Sequence, residues 1–181
     1  VTPLRTFGHG TLEADDLLRL VRAAGIEAIV DVRRYPGSRR SPHLGRDAME
    51  EWLDAAGIGY RWLPALGGRR KVAPGSPNAG LRNESFRAYA DHMATDEFGA
   101  GLSELLDLAA ARPVAVMCSE SVWWRCHRRL VADHLVLVDD IAVEHLFPDG
   151  RLTPHPPTPE ARRVDGDVNY DVGTQGALLD D

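Results

Sequence analysis

Two thiols, a carboxylate, an imidazole and three guanidinium groups fall inside one short stretch of this chain. Cys118-Ser119-Glu120 stands at its start and Arg125-Cys126-His127-Arg128-Arg129 at its end. The thiolate is the nucleophilic form of cysteine, and cationic neighbours or a helix N-terminus favour it. The apolar run Val114-Ala115-Val116-Met117 that leads in reads as a buried strand, and Arg125 to Val138 reads as a helix. A strand-to-helix turn in an open α/β sheet is where such folds place ligands. Cys126 sits at that helix start with Arg125, His127 and Arg128 beside it, so a lowered thiol pKa is expected there. Cys118 closes the strand and reads equally as a small buried hydrophobe. Structural zinc wants four protein ligands, and Cys118, Cys126 and His127 are three with no CxxC pair among them, so no metal is assigned. No motif specifies a cofactor.

Other groups suited to chemistry stand at other strand ends. His9, in Phe7-Gly8-His9-Gly10, is placed to bind an anion or move a proton, or to bond the backbone of a turn. Asp31 is either a base or the partner of Arg33. Glu120 is either an acid–base group or the internal partner of an arginine. Trp123 and Trp124 either stack a base or pack, and packing is expected for at least one. Tyr89, on a helix, is expected in the core with its hydroxyl turned toward the loops.

The elements that must position these groups follow from hydrophobic pattern and turn chemistry. Strands are expected at Leu4–Phe7, Ile26–Val32, Ile58–Leu63, Val114–Met117 and Ile141–Leu146. Helices are expected from Leu12 to Ala24, capped by Thr11 and ended by Gly25, and from Asp47, as cap, to Ala56. Two more span Asn83–Thr95 and Phe98–Ala111, and the last begins at Arg125. Alternating strands and helices imply an α/β fold: one three-layer domain, a mostly parallel sheet of about five strands, and helices on both faces. Residues 1–147 form that domain. From Pro148 the texture turns proline-rich and acidic, so residues 148–181 read as a flexible tail without a core of its own. The alternative is an ordered extension covering an exposed edge, anchored by Val164, Val168 and Tyr170.

A parallel sheet gathers its strand-to-helix loops at one edge. The loop 33–46 holds Arg33, Arg34, Arg39, Arg40 and Arg46 without an acid, and the loop 64–82 holds Arg69, Arg70, Lys71 and Arg82 without one. Arg125 and Arg128 follow the fourth strand. A chain of net charge −6 has thus set positive charge along one rim. One reading is a solvated charged face; the other is an anion site for a phosphate, a nucleotide or a nucleic-acid backbone. No run approaches the roughly 18 apolar residues that span a membrane. Residues 1–11 lack a signal pattern, and two cysteines make no disulfide framework, so a cytoplasmic location is expected. Nothing in the chain specifies an oligomeric state.

Together these motifs carry a resemblance. Phe7-Gly8-His9, Val30-Asp31-Val32-Arg33 with Pro36 and Ser38-Arg39, and Leu63-Pro64 with Leu66-Gly67-Gly68-Arg69 are followed in order by Tyr89, Met117-Cys118-Ser119-Glu120 and Cys126-His127-Arg128. This order resembles the bacterial family catalogued as domain of unknown function 488, from about Thr6 to Leu146. The resemblance implies a cytoplasmic α/β domain and no assigned activity. A looser layout similarity links Asp31-Val32-Arg33 and the later strand-end cysteine to rhodanese-like sulfurtransferases, and the Cys118-to-Arg125 spacing is near that of cysteine phosphatases. The intervening Ser119 to Trp124 has no glycine and carries a carboxylate, which departs from an anion-wrapping loop.

Two functions follow from the residues. One is an enzyme acting on a phosphorylated, nucleotide or nucleic-acid substrate. Arg33, Arg39, Arg69, Arg70, Arg125 and Arg128 would hold the anion, and His9, Asp31, Cys118, Glu120 and Cys126 would supply the chemistry. The other is a binding module for the same ligands in which the polar residues only orient arginines. A rhodanese- or phosphatase-like cysteine enzyme is a further alternative.

Overall fold

The computed structural model of the chain describes residues 3–171. The elements run β1 (Leu4–Gly8), α1 (Ala14–Ala23), β2 (Ala28–Asp31), α2 (Arg46–Ala55), β3 (Gly59–Trp62), α3 (Glu84–Met93), α4 (Asp96–Ala111), β4 (Val114–Cys118), α5 (Arg128–Leu137) and β5 (Val143–Leu146). Three short strands follow: β6 (Leu152–Pro154), β7 (Arg162–Val164) and β8 (Asp167–Asn169). The main sheet has the order β3-β2-β4-β1-β5-β6. Its first five strands are parallel and β6 is antiparallel to β5. This is the expected α/β architecture, with one strand more.

Strand alternation sorts the side chains into two layers. Val114, Val116 and Cys118 of β4 join the core shared with α3, α4 and α5. Ala115 and Met117 join the core under α1 and α2. β2 and β4 are buried along their whole length, as strands covered on both faces should be. By the same alternation Thr6 of β1 and His145 of β5 face α5, where buried polar groups need partners.

Helix starts depart from expectation in four places, one of them α4, which begins at Asp96 and not Phe98. α1 begins after Glu13, not Thr11, and α2 after Gly45, not Asp47; neither cap residue makes a side-chain cap bond. Asp47 instead lies in the first turn of α2, where its charge favours the dipole. The expected helix from Arg125 is broken: a 3₁₀ turn covers Trp123–Arg125, Cys126 is extended (φ −123°, ψ 149°), and α5 starts only at Arg128. Cys126 therefore precedes the helix, and its carbonyl accepts from the Arg129 N–H. Asn83 and Thr95 do cap α3 and α4, accepting from Phe86 N and Phe98 N.

Residues 148–171 are not a tail without contacts. β6 covers the β5 edge, and β7 and β8 form a hairpin through Asp165-Gly166, both at positive φ. Val168 and Tyr170 are buried in the α3–α5 core, with Val164 only partly covered. Asn78 Oδ1 accepts from Tyr170 N, and the Tyr170 carbonyl accepts from Gly80 N. Composition underrates this segment because its few anchors are single residues in a polar context. The final ten positions of the expected tail, 172–181, lie outside the described residues.

Candidate functional site

The carboxyl ends of β1, β2 and β4 open into a cleft of about 530 Å³. Its border includes His9, Arg33, Arg34, Arg40, Arg69, Tyr89, Ser119, Glu120 and Arg125, and its floor holds Cys118, Cys126 and His127. Close backbone approach shapes it. A Cβ at Gly8 would stand 1.8 Å from the Glu120 carbonyl oxygen, and one at Gly68 would stand 2.8 Å from His127 Nδ1. Glycine at both positions lets the first and third loops close on the thiol loop.

The electrostatic centre is Arg128. It is 1% exposed, and its donors go to Cys126 Sγ at 3.4 Å, Thr6 Oγ1 at 3.2 Å and the Glu120 carbonyl. Among the described residues no carboxylate meets it. A buried guanidinium without a counter-charge costs several kcal/mol. The group facing it that can become an anion is the Cys126 sulfur. The Cys118 thiol donates to that sulfur, and with Arg128 it lowers the Cys126 pKa to about 6 against the desolvation of burial. The same hydrogen bond, with burial, pushes the Cys118 thiol up. His127 Nδ1 lies 3.7 Å from Cys126 Sγ. Burial lowers the His127 pKa, so the ring is neutral.

Behind Arg128 runs a buried chain of hydrogen bonds. Thr6 Oγ1 lies 2.7 Å from His145 Nδ1, His145 Nε2 lies 2.9 Å from His155 Nδ1, and His155 Nε2 lies 3.0 Å from Asp133 Oδ1. Its ends dictate its direction, because Arg128 can only donate and an Asp133 carboxylate can only accept. With one proton on each ring, Thr6 donates to His145, His145 to His155 and His155 to Asp133. Burial, with His155 and Arg128 nearby, pulls the His145 pKa to about 3. Trp123 stacks on His145 at 4.2 Å with an interplanar angle of 6°, so this tryptophan packs. Trp124 is 48% exposed.

A second buried network fixes the β2 end. Asp31 Oδ1 accepts from Arg33 N and Nε; Oδ2 accepts from Arg33 Nε and Nη2 and from Tyr60 Oη at 2.6 Å. Arg33 Nη1 donates to the Leu44 carbonyl and to His9 Nε2 at 3.2 Å. His9 Nε2 must then be the acceptor, which leaves the proton on Nδ1 to bond the Gly10 carbonyl. Burial lowers the His9 pKa and keeps this neutral form. Asp31 is thus spent on Arg33, and Arg33 on holding loops.

The candidate residues therefore divide. The cleft collects His9, Arg33, Arg69, Cys118, Glu120, Arg125 and Cys126, with Arg128 directly behind Cys126. Asp31 lies beneath Arg33. Arg70 is held away by the carbonyls of Gly67, Pro64 and Ala65 and by Glu97. Arg39 does not border the cleft. Glu120 Oε1 accepts from Val122 N, which shapes the thiol loop. Tyr89 is buried and donates to the Leu66 carbonyl. The side chains of Arg40, Arg69 and Arg125 make no hydrogen bond, ion pair or ring contact among the described residues and border the cleft. Sequence reading did not single out Thr6, Tyr60, Asp133, His145 or His155, and gave Tyr170 only as an anchor of the extension. A polar His145 inside the apolar strand Val143–Leu146 was a signal; His155, in a proline-rich run, offered none.

Cys118, Cys126 and His127 are the donors that could hold a metal, their ligand atoms lying within 4.8 Å of one another. Arg128 already supplies positive charge at this point, so a divalent ion would bring a dication beside a buried guanidinium.

Fold and site define an open α/β domain with a thiol-bearing cleft at the carboxyl edge of its sheet. A family model described as domain of unknown function DUF488 matches residues 13–135. The chain belongs to that family. No curated protein and no solved structure matches it, so the looser likeness to rhodanese-like sulfurtransferases finds no support there. Thr6, His145, His155 and Tyr170 fall outside the matched residues. No helix among the described residues is long and apolar enough to cross a membrane.

Proposed function

We propose that the protein is an enzyme that uses the Cys126 thiolate as a nucleophile on a substrate bearing an anionic group, such as a phosphate or a nucleotide. The observation that carries this reading is the buried Arg128, which meets no carboxylate among the described residues and donates to Cys126 Sγ. It supports a thiolate at neutral pH at the floor of an open cleft. Arg40, Arg69 and Arg125, whose side-chain donors have no hydrogen-bond partner among the described residues, are suited to hold the anion above it. His9 and Asp31 act as supports for Arg33, not as proton carriers. Their commitment also favours a second reading, a module that only binds the anion.

Alkylation separates the two. Iodoacetamide should modify Cys126 with a rate that rises through an apparent pKa near 6 and is level above it. Arg69→Ala and Arg125→Ala should each weaken binding of a nucleotide phosphate by roughly tenfold without changing that profile. A Cys126 that stays unmodified from neutral to alkaline pH would sink the nucleophile reading. Loss of binding in the arginine variants would then leave the binding module.

A further inference from the structure

Cys118 has no task in a reaction with one nucleophile, yet its sulfur stands beside that of Cys126. The two Sγ atoms and a ring nitrogen of His127 lie within 4.8 Å of one another. Both residues are free thiols and both border the same cleft. The backbone explains the meeting. Strand alternation turns Cys118 toward the α3–α5 layer, and the break before α5 brings Cys126 into the same cluster. The pair is asymmetric. Arg128 Nε donates to Cys126 Sγ at 3.4 Å, whereas among the described residues Cys118 Sγ has the Ser119 hydroxyl, at 4.0 Å, besides its partner sulfur. One sulfur is held as an anion by a buried cation, and the other keeps its proton in the low-dielectric floor. That is the division of labour between an attacking and a resolving thiol in disulfide exchange.

We infer that Cys126 and Cys118 reduce a disulfide whose carrier bears phosphate or carboxylate groups, Cys126 attacking and Cys118 resolving. This rests on Cys126 being the thiolate nucleophile proposed above. In the first step the Cys126 thiolate attacks one sulfur of R–S–S–R, forming a Cys126–S–S–R bond as the substrate S–S bond breaks and R–S⁻ leaves. In the second, Cys118 gives its proton to that departing thiolate, and its sulfur attacks Cys126 Sγ. The Cys118–Cys126 disulfide forms and a second R–S⁻ leaves. The substrate disulfide is reduced by two electrons and the cysteine pair is oxidised by two. Turnover requires an external dithiol, which becomes a disulfide as it restores the pair. The anionic carrier is the part suited to Arg69 and Arg125 at the cleft border; a cationic carrier would be repelled there.

The test mixes the reduced full chain with three disulfides: coenzyme A disulfide for phosphates, oxidised glutathione for carboxylates and cystamine for a cation. Intact mass and peptide mapping follow the products. The expected result is an intramolecular Cys118–Cys126 disulfide, formed about tenfold or more faster with an anionic disulfide than with cystamine. A preference for coenzyme A disulfide over oxidised glutathione identifies phosphate as the recognised group, and the reverse identifies carboxylate. Cys118→Ser, with Cys118→Ala as a second variant, should stop at the mixed disulfide on Cys126, and Cys126→Ser should form none. Folding of each variant is checked by circular dichroism. If iodoacetamide modifies Cys126 at neutral pH but no internal disulfide forms, the resolving role is overturned while the nucleophile stands. If Cys126 is inert to both reagents, both readings fall. Equal rates with cystamine would overturn the anionic carrier alone.

Discussion

At the scale of single residues, the charge state of the Cys126 sulfur depends on the Cys118 thiol first and on the Arg128 guanidinium beside it. Arg128 is buried among Thr6, Cys126 and the Glu120 carbonyl, so a thiolate at Cys126 would be the charge that neutralises it. A hydrogen bond to a charged partner contributes about 1.5–3 kcal/mol, which corresponds to roughly one to two pH units on the thiol. Arg128→Met should therefore raise the Cys126 alkylation pKa by about that much. Arg128→Lys, which keeps the charge but not the planar fork, should lie between it and the wild type. The pKa is read from iodoacetamide rates against pH. An unchanged profile in Arg128→Met would mean that the Cys118 thiol alone holds the thiolate.

At the scale of elements, the segment after β5 completes the core behind the cleft. Asp133 on α5 is 0% exposed, and its oxygens accept from His155 Nε2, Thr158 N, Thr158 Oγ1 and Tyr170 Oη. Every one of those donors comes from residues 155–170. Removing the chain from Pro148 onward would strand a buried carboxylate and uncover the β5 edge. Truncation at Phe147 should thus lower Tm steeply or prevent folding, although the composition of the segment alone predicts a folded remainder. Tyr170→Phe, which removes one donor to a charged acceptor, should cost about 1.5–3 kcal/mol in urea unfolding. A truncated domain that melts like the full chain would show that Asp133 is satisfied in another way.

At the scale of the whole molecule, acid should act on stability through buried neutral imidazoles. His145 is held near 3 against 6.5 in an unfolded chain, by burial first and then by His155 and Arg128. Burial also lowers His9, His92 and His127. A depressed folded pKa means that the unfolded state takes up protons first as the pH falls. The stability is therefore whole above about 6.5 and is lost progressively toward 3. The Cys126 thiolate acts in the same direction over a higher window, its contribution being whole above the ordinary thiol value of 9.0 and lost as the pH falls to about 6. Tm should fall by roughly 5–10 °C between pH 7.5 and pH 5, and His145→Gln should flatten that slope. A Tm that does not change over this range would show that the imidazoles are not held neutral.

The sequence by itself determined the architecture and the edge at which to look. Apolar runs such as Val114–Met117 and stripes such as that of α1 are local patterns, and local patterns suffice for strands, helices and the α/β class. A parallel sheet then assigns Gly8, Arg33, Gly67 and Cys118 to the same edge by topology alone. Which groups were free was decided only in three dimensions. Arg33, Arg70 and Arg128 look like Arg40, Arg69 and Arg125 in sequence, but the first three are saturated by partners contributed from other elements. The helix expected at Arg125 breaks at Cys126, and that break carries the thiol to Cys118. The chain Thr6–His145–His155–Asp133 joins positions far apart in sequence, from β1 to the proline-rich segment. Hydrogen-bond satisfaction in a core depends on which distant groups packing brings within about 3 Å, and no local pattern encodes that.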